Sequence, residues 1–139
     1  MRSINYIFLL MTSSSILATE IPKEFLGDWV PQAASCQSEL KFRVEPNRIT
    51  LKNRETSRSY GDIDICYSCE GGAKYMGKVV WLMPEFHSDS PGPFTASFNV
   101  GEKLGVAKLD IYKLEEQKVF LPLHDVLLKR CKYKPSKIK

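Results

Sequence analysis

The four cysteines of this 139-residue chain are the residues whose type and spacing point most directly to chemistry. Cys66 and Cys69 form a Cys-x-x-Cys pair, and Cys36 and Cys131 lie far from it on either side. A four-thiolate zinc site usually contains two such pairs. A redox-active pair needs a setting that lowers its thiol pKa, whereas here an acid, Glu70, follows directly. We therefore interpret the cysteines as two structural disulfides, and we predict no metal and no cofactor.

The pairing of these cysteines is argued from strand alternation. Residues 60–72 are predicted to form one strand that runs into a tight turn. Positions three apart on a strand point to opposite faces, so Cys66 and Cys69 are expected to diverge. We predict that each bonds a distant partner, one with Cys36 and the other with Cys131. A local Cys66–Cys69 bridge, which leaves Cys36 for Cys131, is the alternative.

Two aspartates on the same predicted strand are the best candidates for acid–base chemistry. Asp62 and Asp64 fall on one face, about 7 Å apart, a separation within the range of paired carboxylates that cleave glycosides. We favour a solvent-facing strand side over this alternative. His87 and His124 each lie near an aspartate, but no Gly-x-Ser-x-Gly motif accompanies them. The sequence therefore predicts no catalytic residues.

A loop between two predicted strands is the best candidate for a binding site. Two prolines around a glycine favour a stiff, exposed tip, and stiffness lowers the entropic cost of binding a partner. An ordinary strand connection is the alternative. The loop residues are Ser88, Asp89, Ser90, Pro91, Gly92 and Pro93.

The N-terminal residues 1–18 have the composition of a secretory signal peptide. A positive charge is followed by a short apolar stretch and a small residue, Ala18, after which we place the cleavage. The stretch is shorter than the roughly 20 residues that span a bilayer, so we expect no transmembrane segment after cleavage. Export to the periplasm or the extracellular space fits a one-domain chain that contains disulfides.

The C-terminal residues 129–139 contain six basic residues and no acid. This composition predicts a basic tail that either contacts an anionic surface or is simply solvated. We expect no nucleic-acid binding, because Tyr133 is the only aromatic residue within the tail.

Residues 19–128 carry the pattern of a single all-β domain. Leu40, Phe42 and Val44 alternate with charged residues, and a turn at 46–47 is predicted to place Val44 opposite Ile49 and Phe42 opposite Leu51. Further strands are predicted at 78–86, 94–100, 106–114 and 119–121. After 121 a short turn or edge segment is favoured, and a short helix that begins at Pro122 is the alternative. Seven or eight short strands with Gly or Pro turns predict an antiparallel barrel, or a barrel-like sandwich, stapled by disulfides.

The segment Phe25-Leu26-Gly27-Asp28-Trp29 resembles the Gly-x-Trp element that opens lipocalin-like barrels. In that group the Trp closes one end of the barrel and a late basic residue packs over it. The resemblance thus implies a barrel-closing role for Gly27, Trp29 and Arg130. Small secreted bacterial barrels that inhibit proteases share this opening, with a Cys soon after it, as Cys36 is here.

These observations lead to an expected function without catalysis. The leading hypothesis is an exported inhibitor or sequestering protein that acts on a secreted or envelope macromolecule, such as a hydrolase. The alternative is a lipocalin-like carrier of a small apolar ligand, with Phe42, Trp81, Phe94 and Phe98 lining a cup. An open barrel interior would favour the carrier, and a filled interior would favour the macromolecular binder.

Overall fold

The fold is a nine-stranded antiparallel sheet that curls into a nearly closed barrel, seen in a computed structural model that describes residues 20–132. The all-β prediction is confirmed, with nine strands in place of seven or eight. The predicted signal peptide, residues 1–18, lies outside the described residues, and so do residues 133–139 of the predicted basic tail.

The strands follow one another with one helical insertion before the last. They are β1 (Gly27–Pro31), β2 (Lys41–Glu45), β3 (Arg48–Lys52), β4 (Ser57–Tyr60), β5 (Ile63–Cys66), β6 (Val80–Pro84), β7 (Phe94–Phe98), β8 (Val106–Ile111) and β9 (Leu127–Arg130). The helix α1 (Leu114–Phe120) lies between β8 and β9. Short 3-10 helices lie at Lys23–Phe25, Val100–Glu102 and Leu121–Leu123.

The barrel closes through a bend between β4 and β5. These two strands stand at opposite edges of the order β4-β3-β2-β1-β9-β8-β7-β6-β5, and every pairing in it is antiparallel. They must therefore run in the same direction, although only Gly61 and Asp62 separate them. Asp62 has a φ of 49° and makes the bend. The segment predicted as one strand is thus two, one paired with β3 and the other with β6.

The connections between strands lie at two ends of the barrel. The helix end contains α1, the turn at 53–56 and the loop at 85–93. The tail end contains the turn at 46–47, the loops at 67–79 and 99–105, and the point where the chain leaves β9. The arrangement follows from the strand directions, because each strand except β5 reverses the course of the one before it.

Local sequence patterns predict the first hairpin correctly and the helix wrongly. Phe42 lies opposite Leu51 and Val44 opposite Ile49, as predicted. The strand predicted at 119–121 is absent from the described residues, because these positions belong to the end of α1 and to the 3-10 turn after it. The residues before them, Glu115 to Lys118, are good helix formers. They carry the β-branched Val119 into the helix despite its strand preference.

The cysteines pair as the less favoured prediction had it. The favoured prediction, in which Cys66 and Cys69 each bond a distant cysteine, is wrong. Cys66 bonds Cys69, with Cα atoms 5.7 Å apart, and Cys36 bonds Cys131. The strand β5 ends at Cys66 and residues 67–70 bend, so the alternation that separates positions i and i+3 does not extend to Cys69. All four cysteines are nevertheless in disulfides, as predicted.

Candidate functional site

The loop at 85–93 projects from the helix end as a tight hairpin. The backbone N–H of His87 donates to the carbonyl of Ser90 at 2.9 Å, and the N–H of Ser90 donates back at 3.0 Å. This closed pair leaves Ser88 and Asp89 at the tip, where both are exposed. The tip is therefore fixed by backbone hydrogen bonds of its own.

The base of this loop is buried, which makes the exposed tip shorter than predicted. Gly92 has a φ of 75°, and a Cβ at this position would lie 2.2 Å from the carbonyl oxygen of Pro84. Pro93 is buried, and its carbonyl accepts the N–H groups of Tyr112 and Lys113 at 2.9 and 3.3 Å. Gly92 and Pro93 thus fasten the loop to the barrel, and the exposed part ends at Pro91.

Exposed apolar side chains surround the loop. Phe86 is 38% exposed, Tyr112 is 50% exposed and Leu114 is 63% exposed. The last two follow β8, whose continuation is bonded to the base of the loop through Pro93. Aromatic residues are enriched at the centres of protein interfaces. We name this surface the loop face, made of Phe86, Ser88, Asp89, Ser90, Pro91, Tyr112 and Leu114.

The helix α1 is tied to the barrel by a buried carboxylate that the sequence did not reveal. Glu116 is only 9% exposed and accepts hydrogen bonds from the Tyr60 hydroxyl and from Arg58 Nη1, the latter at 2.7 Å. Burial raises the pKa of Tyr60 well above its usual value, and the hydrogen bond to Glu116 adds to the rise. Asn53 Nδ2 also donates to the Val119 carbonyl, at 2.9 Å. These contacts position the helix beside the loop face.

The two histidines have structural surroundings. His124 Nδ1 accepts the backbone N–H of Ile111 at 3.0 Å, and its Nε2 lies 3.0 Å from the Gln117 side-chain amide. Both ring nitrogens are therefore engaged in holding the segment after α1 against β8. His87 contributes its backbone to the hairpin described above.

The two aspartates considered as the less favoured acid–base alternative do not share a strand face. Asp62 lies at the bend before β5, where its carbonyl accepts the N–H of Glu85 at 2.9 Å, and Asp64 lies within β5. The positive φ of Asp62 breaks the alternation on which the pairing depended. Within residues 20–132, no cluster of three His, Cys, Asp or Glu side chains is arranged to hold a metal ion.

The residues implied in barrel closure lie together at the tail end. Trp29 is 1% exposed, and its Nε1–H donates to the Phe25 carbonyl at 2.9 Å. Arg130 is the cross-strand partner of Trp29, so the two side chains share a face. Arg130 Nε donates to the Leu26 carbonyl at 2.7 Å. Gly27 follows Leu26 directly and has a φ of 116°, a conformation that favours glycine.

A basic groove runs along the outer wall beside this cluster. Arg43 donates two hydrogen bonds to Asp28, at 2.6 and 3.0 Å, and these hold the pKa of the Asp28 carboxyl below its usual value. Lys129, Arg130 and Lys132 line the same groove. The basic residues outnumber the one acid, so the groove is positively charged.

Aromatic side chains fill the barrel interior. The ring centroid of Phe98 lies 4.5 Å from that of Phe25, 5.1 Å from that of Trp29 and 6.0 Å from that of Phe42. Phe94 is also fully buried.

The suggestion that Trp81 faces the interior is wrong. Val80 and Leu82 point inward, and Trp81 lies on the outer wall opposite Cys66 and Ser97. Its Nε1–H is buried and has no hydrogen-bond partner among residues 20–132.

No family model, curated protein or solved structure matches this chain. Within the described residues, no helix is long and apolar enough to cross a membrane.

Proposed function

We propose that this chain is an exported, non-catalytic binding module that inhibits or sequesters another macromolecule. The observation that carries the proposal is the loop face. It combines a hydrogen-bonded hairpin tip with exposed Phe86, Tyr112 and Leu114 on a buried, hydrogen-bonded base. A preformed surface of this kind binds with little loss of conformational entropy. The partner is a secreted or envelope macromolecule, such as a hydrolase.

The filled interior supports binding at the surface. A carrier of a small apolar ligand needs a cavity, and ligand pockets are usually about 300–1,000 Å³. Here the packed rings of Phe25, Trp29, Phe42 and Phe98 occupy the tail-end half of the barrel. This packing weighs against the carrier alternative.

The disulfides support the exported location. Disulfides persist in oxidising compartments and are rare in reducing ones. Both bridges here join residues of a small domain, one over 95 positions and the other over three. The apolar N-terminal segment that would direct export lies outside the described residues.

Enzyme inhibition assays test the proposal. The mature protein, at micromolar concentration, is added to a panel of secreted proteases and lysozymes, and their rates are measured. We expect at least one enzyme to be slowed. If no enzyme in the panel is slowed, the inhibitor proposal is rejected.

A matched pair of variants then tests the location. Tyr112→Ser with Leu114→Ser removes two exposed side chains of the loop face, and we expect inhibition to weaken by about tenfold or more. Tyr67→Ser with Leu104→Ser removes side chains of similar exposure, 54% and 74%, from the tail end. This control should inhibit as the parent does. Equal inhibition by both variants would exclude the loop face.

A further inference from the structure

The tail end of the barrel presents apolar side chains on ordered loops. Met76 is 70% exposed and Leu104 is 74% exposed. Glu102 accepts the backbone N–H groups of Met76 and Lys78 at 2.8 and 3.2 Å. Asn99 Nδ2 donates to the Lys78 carbonyl at 3.0 Å. The loops at 67–79 and 99–105 are therefore bonded to each other, and the two apolar side chains belong to one surface.

Exposed basic side chains outnumber exposed acids at this end of the barrel. The loops carry Glu70 as an exposed acid, while Glu102 is occupied by the two backbone N–H groups. Glu20 and Glu24 add exposed acids where the described chain begins. The exposed basic residues of this end are Lys23, Lys74, Lys78, Lys103, Arg130, Lys132 and Arg48, the last of which is paired with Glu45. The tail end therefore carries a net positive charge.

The opposite end of the barrel has the opposite balance. Its exposed acids are Glu39, Glu55, Asp62, Glu85, Asp89, Glu115 and Asp125, against Lys52, Arg54, Lys113 and Lys118. An anionic surface would therefore attract the tail end and repel the helix end, which orients the molecule before contact. The sequence beyond Lys132 adds three lysines, Lys134, Lys137 and Lys139, to the chain that leaves from the attracted end.

We propose that the tail end docks onto an anionic lipid surface. Met76 and Leu104 enter the headgroup region, and the surrounding lysines contact lipid phosphates. Lysines near an anionic bilayer are attracted to it, and apolar side chains gain by leaving water for the acyl boundary. A soluble polyanion would satisfy the lysines but would offer no apolar phase to Met76 and Leu104. The combination therefore favours a bilayer. The proposal is independent of inhibition, because it concerns the other end of the molecule.

Vesicle sedimentation tests this docking with the full mature chain. One set of vesicles contains phosphatidylcholine alone, and the other contains equal parts of phosphatidylcholine and phosphatidylglycerol. We expect binding to the anionic vesicles that weakens as salt is added. Equal partitioning into both kinds of vesicle, or no binding to either, overturns the proposal.

Matched substitutions separate lipid docking from simple charge attraction. Leu104→Ser should weaken partitioning by about fivefold, whereas Leu121→Ser, at a site 59% exposed on the helix end, should leave it unchanged. Lys103→Gln should weaken binding more than Lys118→Gln does. If Leu104→Ser binds as tightly as Leu121→Ser, the surface recognises only charge and the lipid proposal is wrong.

A third comparison separates the barrel end from the C-terminal residues. Replacing Lys134, Lys137 and Lys139 by Gln should reduce binding to the anionic vesicles. The binding that remains should still be weakened by Leu104→Ser. Complete loss of binding on replacing these three lysines alone would assign the contact to the tail and overturn the role of the barrel end. Unchanged thermal unfolding of each variant confirms that its fold is retained.

Discussion

Tyr60 is a polar side chain that the barrel holds among apolar neighbours. Its ring packs edge-on against Phe94, with centroids 5.1 Å apart, and its hydroxyl donates to Glu116 of α1. We expect Tyr60→Phe to lower the free energy of unfolding by about 1–2 kcal/mol, because a buried carboxylate loses one of its donors. Tyr67→Phe is the control. The Tyr67 side chain is 54% exposed, so removing its hydroxyl should change the free energy of unfolding by no more than about 0.5 kcal/mol. Urea unfolding measures both.

The raised pKa of Tyr60 gives this substitution a pH dependence. The folded protein keeps the Tyr60 proton where the unfolded chain, with a pKa of about 10, has lost it. The stabilisation by Tyr60 is therefore complete below about pH 10 and is lost as the pH rises above it. We expect the difference in unfolding free energy between the parent and Tyr60→Phe to shrink over this range. A difference that stays constant from neutral pH to pH values above 10 would contradict the raised pKa of Tyr60.

Gly92 and Gly105 have nearly the same φ, 75° and 78°, but different surroundings. A Cβ at Gly92 would lie 2.2 Å from the Pro84 carbonyl oxygen, whereas nothing lies within 4 Å of one at Gly105. We expect Gly105→Ala to cost about 1 kcal/mol from backbone strain alone. Gly92→Ala should cost about 2 kcal/mol more, because the backbone must also move. Thermal unfolding compares the two, and equal costs would show that the base of the loop is not packed as described.

At the element scale, the sequence predicts strands better than the contacts between them. Leu40 to Leu51 predicts its own hairpin, because alternation and a proline turn act within one short segment. The burial of Glu116 has no such local signal. It depends on Arg58 and Tyr60, more than fifty positions earlier, which point inward beside it. The base of the loop face has no local signal either. Gly92 is needed there because a Cβ would collide with the carbonyl oxygen of Pro84, on the other side of the hairpin.

Two departures from one regular strand, the bend at Asp62 and the end of β5 at Cys66, explain two wrong predictions. A regular strand that continued from Tyr60 through Cys69 would place Asp62 and Asp64 on one face and send Cys66 and Cys69 apart. The chain changes partner strand at Gly61 and Asp62, and it leaves the sheet after Cys66. Periodicity cannot reveal such a change, because the residues on both sides of the bend still alternate. Cys66 therefore bonds a cysteine three positions away, whereas strand alternation predicted a distant partner.

The two disulfides should contribute unequally to stability. The Cys36–Cys131 bond closes 95 positions and the Cys66–Cys69 bond closes three. The chain-entropy argument gives a loss of about 4–5 kcal/mol for Cys36→Ser with Cys131→Ser, and about 2 kcal/mol for Cys66→Ser with Cys69→Ser. Guanidinium unfolding of each double variant, without reductant, gives the two values.

Peptide mapping without reduction is the control for this comparison. It should recover Cys36 linked to Cys131 in the parent and in the Cys66→Ser with Cys69→Ser variant. Equal losses of unfolding free energy in the two double variants would contradict loop closure as the reason for the larger contribution of the Cys36–Cys131 bond.

For the whole molecule, the two ends differ in what they offer to a partner. The helix end carries the loop face on a base held by Pro84 and Pro93. The tail end carries the lysines with Met76 and Leu104. The packed side chains of the barrel interior separate the two ends. A partner bound at one end therefore does not share a ligand cavity with a partner bound at the other. This separation suits a protein that is held at one surface and meets its target with the other.

The filled interior is itself testable through Phe98, which lies among Phe25, Trp29 and Phe42. We expect Phe98→Ala to cost about 3–5 kcal/mol, because the removed ring leaves a cavity that its neighbours only partly fill. Phe98→Leu should cost less and keeps the comparison available if the alanine variant does not fold. An apolar cavity of this kind binds small apolar molecules, so benzene should raise the melting temperature of a folded Phe98 variant and leave the parent unchanged. A parent protein that gains stability from benzene, or that retains an apolar ligand in native mass spectrometry, would show that the barrel is open and would restore the carrier as the better hypothesis.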